Sequence, residues 1–587
     1  MWYLDGGFQY NHINFYDTEG KNLRIKRVWN QNQSGTPPTG YYYGTEYTNA
    51  EEIIAAKQDY AASHATHVTG IAAGAYKGNE YYGIAPDADL VLVSYNISDN
   101  SSSNTSITDG IKYIYDYAES VGKPCVINMS LGYHIGPHDG TSTFDRICDE
   151  LQGEGRLLVG ASGNEAEYNI HATKTLKKGD TNMKSLVEFV SNWYLYGSMT
   201  STVDIWGDAE KQLSARVFVY DILNKKEVYS SESFSTTASA SKKISNPTGA
   251  DGNIYISTAT NPYNKKGNIT IDLNLSSFDN RNYYIGFEIS GPEETTINAW
   301  TDAYMSWLSN FGNSEFTNGD NNSTMGEIGG TGKRIITVGA YTSCNYIDHK
   351  NSSMWNNSGQ TLNQLVSFSS LGPTADGRMK PDITAPGSML ISSFNSSTSS
   401  NRNGEDYNYV VKQENVNTVN YYYGSMEGTS MATPVVTGIL ATWLQANPKL
   451  TPEQVREILS NTATTDSYTG NIAGVGNNRW GYGKINAYDG LVYCLNHSGI
   501  EQIGTPTRPM VYPNPATDIC YFLLQNDDKN VNVSIYTLNG TEIYSRYMGN
   551  INAGEQNQLD LSDLAAGIYF IHITGDKTNM TTKLTVK

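Results

Sequence analysis

The stretch Gly428-Thr429-Ser430-Met431-Ala432-Thr433-Pro434 sets a serine between small residues, just ahead of an apolar run at helical spacing (Val435, Val436, Ile439, Leu440, Trp443, Leu444). A serine there stands at or near a helix N-terminus, where unpaired backbone N–H groups favour developing negative charge. Alone, such a turn reads equally well as an ordinary helix cap. A serine hydroxyl is a weak nucleophile at neutral pH and needs a base, itself oriented by a carboxylate. Both stand upstream. His64 lies in Ser63-His64-Ala65-Thr66-His67-Val68-Thr69-Gly70, and Asp5 leaves a short apolar segment into the turn Asp5-Gly6-Gly7. Between His64 and Ser430, Leu157-Leu158-Val159-Gly160-Ala161-Ser162-Gly163-Asn164-Glu165 reads as a buried strand ending in a glycine turn and an amide donor, as an oxyanion hole requires.

With these four pieces, in the chain order Asp, His, Ser, the sequence resembles the subtilisin-like (subtilase) serine peptidases. Further blocks stand in the order expected of that family: Tyr82-Gly83-Ile84-Ala85-Pro86, Asn128-Met129-Ser130-Leu131-Gly132, Lys380-Pro381-Asp382-Ile383-Thr384-Ala385-Pro386-Gly387 and Gly481-Tyr482-Gly483-Lys484-Ile485-Asn486-Ala487. The resemblance implies that Ser430 is the nucleophile, His64 the general base and then acid, and Asp5 the group that orients the imidazole. Asn164 and the Ser430 N–H would hold the oxyanion. Ser130, Leu131 and Gly132 would form a strand pairing with extended substrate, with Gly163 also at the substrate. The implied activity is a serine endopeptidase acting on protein or peptide substrates through an acyl-enzyme. The rival from another class is a catalytically inactive surface binding protein on the same scaffold. An α/β-hydrolase esterase is disfavoured because its chain order is Ser, Asp, His.

Other residues carry less. His64 and His67 at i, i+3 on a helix resemble metal ligands, but no third ligand stands at the right spacing, so no metal site is assigned and His67 is expected to be a hydrogen-bonded core histidine. Asp17 is a second acid near Asp5 but does not directly follow the short strand. Glu165 could favour a basic residue before the scissile bond or could be a solvated rim charge, the reading preferred here. Calcium commonly stabilises subtilases, yet residues 75–82 offer only Asn79 and Glu80, so calcium is possible but not assignable. No cofactor is required.

Forty basic against fifty-nine acidic residues give a net charge of −19, which argues against nucleic-acid or anionic-membrane binding by general attraction. Five scattered cysteines give no sign of a disulfide or zinc scaffold. No apolar run is long enough to span a bilayer, and the first residues lack the pattern of a signal peptide. Only Met1 to Leu4 precede Asp5, so the catalytic domain is expected to be truncated at its N-terminus and Asp5 to hold His64 loosely.

The expected fold class is α/β: a parallel-sheet core interrupted by an antiparallel β-sandwich or jelly-roll insertion, followed by a C-terminal all-β sandwich. The expected domains are residues 1–172 and 300–495 for the two parts of the catalytic core, 173–299 for the insertion, 496–508 for a linker and 509–587 for the last sandwich. Alternating runs such as Ala215-Arg216-Val217-Phe218-Val219-Tyr220 mark the insertion. Gly136-Pro137-His138-Asp139-Gly140-Thr141 and His171 resemble the clostridial germination (Csp) subgroup of subtilases, which carries a jelly-roll insertion at this point. Residues 509–587, from Val511-Tyr512-Pro513-Asn514-Pro515 onward, resemble the type A sorting domain of the type IX secretion system. That resemblance implies a secreted or cell-surface protein of a Bacteroidetes-type Gram-negative bacterium, with the secretion machinery as a partner.

Overall fold

The computed structural model describes residues 2–95, 104–190, 199–245, 247, 251–278, 281–302, 305–497, 510–524, 526–537 and 541–587. The chain divides into two compact units, residues 1–498 and 499–587.

The first unit is organised on an eight-stranded sheet in the order Ile383–Pro386, Ile336–Tyr341, Arg156–Ala161, Cys125–Met129, Trp2–Asp5, Leu90–Ser94, Ile25–Asn30, Thr45–Tyr47. Every pairing is parallel except the last, which is antiparallel at the edge. Helices cover the sheet, which is why Leu90–Ser94, Cys125–Met129 and most of Arg156–Ala161 are unbroken buried runs rather than alternating ones. The core continues into the Thr429–Ala446 helix, whose Val436, Leu440 and Trp443 are fully buried. The expected loose hold on Asp5 is not what the fold has. Trp2–Asp5 pairs over its whole length with Leu90–Ser94 and also with Cys125–Met129. Asp5, Ser130 and Asn164 therefore leave the carboxyl ends of central strands, the edge where open parallel sheets place their crevice.

The insertion is a sandwich of two six-stranded antiparallel sheets around its own apolar core, which includes Val203, Ile205, Val217, Ile271, Phe287 and Ile297. It extends beyond the expected end at 299: Thr296–Thr301 and Ser306–Ser309 are strands of its two sheets, so the return to the core comes later than the sequence pattern indicated. The Cys125–Met129 strand stops at Met129, and Ser130–Gly132 carry the chain on from it without belonging to any strand.

The second unit is a small sandwich of a three-stranded and a four-stranded sheet, closed over Phe522, Val533, Ile535, Ile571, Ile573 and Leu584. The observed class, α/β with two all-β parts, is the one expected. The expected linker 496–508 lies outside the described residues but for its first two. All five cysteines are free. No helix among the described residues is long and apolar enough to cross a membrane.

Candidate active site

The turn Asp5-Gly6-Gly7 and the His64–Ala73 helix are built against each other. Gly7 has φ +88°, and a Cβ there would stand 2.8 Å from the Ala62 Cβ, so only glycine lets the turn approach the segment leading into the helix this closely. The helix start is closed by that turn: Ala65 N donates to Gly6 O at 3.2 Å, Thr66 N to Gly7 O at 3.3 Å and Thr66 Oγ1 to Gly7 O at 2.8 Å. First-turn N–H groups that would otherwise lack acceptors thus fix the helix relative to Asp5. His64 Nδ1 donates to Asp5 Oδ1 at 2.9 Å, and Gly6 N donates to the same oxygen at 2.7 Å. Asp5 is buried. Burial opposes the charged imidazole, but the Asp5 charge and hydrogen bond outweigh it, and the His64 pKa ends above its ordinary value. With Nδ1 donating, Nε2 is left as the basic nitrogen.

Ser430 is the second residue of the Thr429–Ala446 helix. Pro434 has no N–H to offer the Ser430 carbonyl four residues back. Ser130 Oγ donates to that carbonyl instead, at 2.8 Å. In return Ser430 Oγ donates to Ser130 O at 3.5 Å, a contact long enough that the hydroxyl loses little by turning elsewhere. Among the described residues the Ser430 N–H has no protein acceptor.

Asn164 follows Gly163, whose φ of +109° turns the chain sharply after the Arg156–Ala161 strand. Its Oδ1 accepts from Thr429 N at 2.9 Å and from Thr429 Oγ1 at 3.0 Å. Two donors on one side identify that atom as the oxygen, so Nδ2 is the free donor. His64, Asn164 and Ser430 line one cavity of about 560 Å³ together with Trp355, Tyr409 and Met431.

The remaining residues sort as follows. His67 is buried, its Nε2 within 3.0 Å of Leu390 O and 3.1 Å of Gly424 O, and burial pushes its pKa down to about 3, the state of a neutral core histidine. Asp17 is a turn carboxylate that accepts from Lys21 N and Asn22 Nδ2. Glu80 pairs with Lys412 at 2.8 Å, and Asn79 Oδ1 accepts from Tyr81 N. Glu165 corrects the expectation of a solvated rim charge. It is buried, accepts from Ser370 Oγ at 2.9 Å and lies 3.7 Å from His134 Nε2. One of its partners, Ser370, lies 205 positions away, which local sequence does not reveal.

Sequence reasoning also missed the tie between the insertion and the loop after Gly132. Asp204, buried in the insertion, accepts from Gly136 N at 2.8 Å and from Trp206 Nε1 at 2.7 Å. Trp300 stacks on His138 with ring centres 4.0 Å apart, and Lys266 pairs with Asp139 at 2.6 Å. The sequence signal was the resemblance of residues 136–141 and His171 to the Csp subgroup, which marks this region without revealing these contacts.

Comparison with known proteins bears out the family resemblance. Over 158 residues the chain is 37% identical to serine protease AprX of Bacillus subtilis, covering 27% of this chain and 30% of that protein. Over 123 residues it is 36% identical to the minor extracellular protease Vpr of the same organism, covering 20% of this chain and 13% of that one. The chain thus spans less than a third of the length of either relative. The solved structure of the Clostridium perfringens CspB protease aligns with 84% of this chain and 94% of its own, at 20% identity and a TM-score of 0.61, and so shares the fold. Residues 510–587 match the secretion system C-terminal sorting domain. Residues 3–483 match the subtilase family from the Asp5 strand, across the insertion, to the segment beyond the Thr429–Ala446 helix, and the chain belongs to that family.

Proposed function

We propose that the chain is a secreted serine endopeptidase in which Asp5, His64 and Ser430 form the catalytic triad. The observation that carries the reading is the 2.9 Å Asp5–His64 hydrogen bond beside a serine at a helix start that shares its cavity with that histidine. His64 Nε2 takes the Ser430 proton as Oγ bonds to the substrate carbonyl carbon, and the carbonyl electron pair moves to its oxygen. The Ser430 N–H and Asn164 Nδ2, both without protein acceptors among the described residues, meet that oxyanion. Collapse breaks the C–N bond, and the imidazolium returns the proton to the leaving amine. Water, deprotonated by the same nitrogen, then attacks the acyl-enzyme and restores Ser430. Ser130–Gly132, continuing a central strand without a strand partner of its own, offers its backbone to the acyl half of an extended substrate, with Gly163 as a further substrate contact.

Hydrolysis of an internally quenched peptide tests this. Ser430→Ala and His64→Ala should each fall to background with the fold retained, and undiminished hydrolysis by either would refute the assignment. The sorting-domain match supports export by the type IX route, with residues 510–587 as the address and the protein released or anchored at the cell surface. Removing them should leave hydrolysis intact and keep the protein inside the producing cell. Normal release of the shortened protein would refute this part.

A further inference from the structure

We propose that the cleft selects substrates with a cationic side chain, lysine or arginine, on the leaving-amine side of the scissile bond, with Asp406 and Glu427 as the specificity-determining residues. The inference rests on the peptidase reading above and adds the substrate class.

The catalytic cavity is asymmetric about Ser430. It runs against His64, Glu427 and the 405–409 segment, and neither Ser130–Gly132 nor Gly163 lines it. His64 delivers the proton to the departing amine, so the cavity on its side receives the residues after the scissile bond, while Ser130–Gly132 takes those before it. Its lining holds three carboxylates, Glu405, Asp406 and Glu427, and no lysine or arginine.

Asp406 is the distinctive one. It is only 6% exposed, and its Oδ2 accepts from Ser63 Oγ, the neighbour of the general base, at 2.6 Å. Its Oδ1 has no donor among the described residues, and the side chain lines the cavity. That second oxygen is not sealed from solvent, so it is available to a cation or donor that enters the cavity. Glu427 stands three residues before Ser430, with Ser388 Oγ at 3.2 Å as its contact, and desolvation by the cleft walls pushes its carboxyl above the usual range. The rings of Trp355 and Tyr409, 5.6 Å apart, add an aromatic wall. Carboxylates beside aromatic faces suit a long aliphatic stem that ends in an ammonium or guanidinium.

The test uses the full chain and internally quenched peptides identical except for lysine, norleucine or glutamate at the first two positions after the scissile bond. For the wild type, kcat/KM should favour lysine over norleucine by about threefold or more and over glutamate by about tenfold or more. Asp406→Asn, which can still accept from Ser63, and Glu427→Gln should each bring the lysine-to-norleucine ratio toward one. Glu427→Arg should reverse the lysine-to-glutamate preference. Each ratio is internal to one variant, so losses of overall activity cancel. A flat wild-type ratio, or a ratio unmoved by both neutral variants, in an enzyme that hydrolyses the peptides would overturn this inference alone. Failure of the wild type to cut any peptide or to take a fluorophosphonate would bring down the peptidase reading, and this inference with it.

Discussion

In the proposed mechanism Asn164 does two separable jobs, so substitutions there should divide catalysis from stability. Its Oδ1 satisfies the N–H and hydroxyl of fully buried Thr429, while Nδ2 faces the cleft. Asn164→Leu removes both functions. Loss of one oxyanion donor should lower kcat by about 10² to 10³, a range carried over from subtilisin, a member of the same family. Leaving Thr429's two donors without acceptors should cost a further ~1–3 kcal/mol of stability. Asn164→Asp keeps the acceptor and therefore most of the stability. It replaces the donor with a negative charge, so its kcat should fall at least as far as that of the leucine variant. Single-turnover kinetics on a small amide substrate, alongside urea unfolding, reads both quantities. The reasoning is refuted if the aspartate variant keeps kcat, or if the leucine variant changes only KM.

Two further outcomes follow from charge. Because Asp5 holds the His64 pKa above its ordinary value and the base must be neutral to act, kcat/KM should rise with pH through that raised pKa. Asp5→Asn should shift this limb to lower pH and cost about 10⁴ in kcat, and an unshifted limb would remove Asp5 from its role. Asp382, in the block Lys380-Pro381-Asp382, accepts from Lys380 Nζ at 2.7 Å, Arg456 Nε at 2.8 Å and Thr337 N at 2.7 Å. Burial opposes its charge, but Arg456 and Lys380 bring its pKa down to about 2, so the stability it contributes is present above the ordinary carboxylate pKa and is lost as pH falls toward 2. Asp382→Ala, which strands a buried ammonium, should cost about 3–5 kcal/mol in urea unfolding at pH 7, and a loss below 1 kcal/mol would show that the cluster contributes little.

What could be read from the sequence was whatever local chemistry writes locally. The strand before Asn164 and the helix after Gly428 each carry their own periodicity, and each is where expected. What escaped depends on contacts between distant positions. Ser306–Ser309 is too short to show a pattern and becomes a strand only by pairing with Asn182–Phe189. Glu165 reads as a rim charge until Ser370 pairs with it, and Asp406 as an unremarkable acid in a polar segment until Ser63, next to His64 and 343 positions earlier in the chain, donates to it. The expected weakness of Asp5 failed for the same reason: pairing on both sides secures a strand whose own length does not.

The central claim is that Ser430 is a nucleophile activated by His64. Treating the full chain with a fluorophosphonate and mapping the adduct by peptide mass spectrometry tests it most directly. The account predicts one phosphonyl group on Ser430, with labelling abolished in Ser430→Ala and strongly slowed in His64→Ala. A folded wild-type protein that stays unlabelled, or carries the label at another residue, would contradict it.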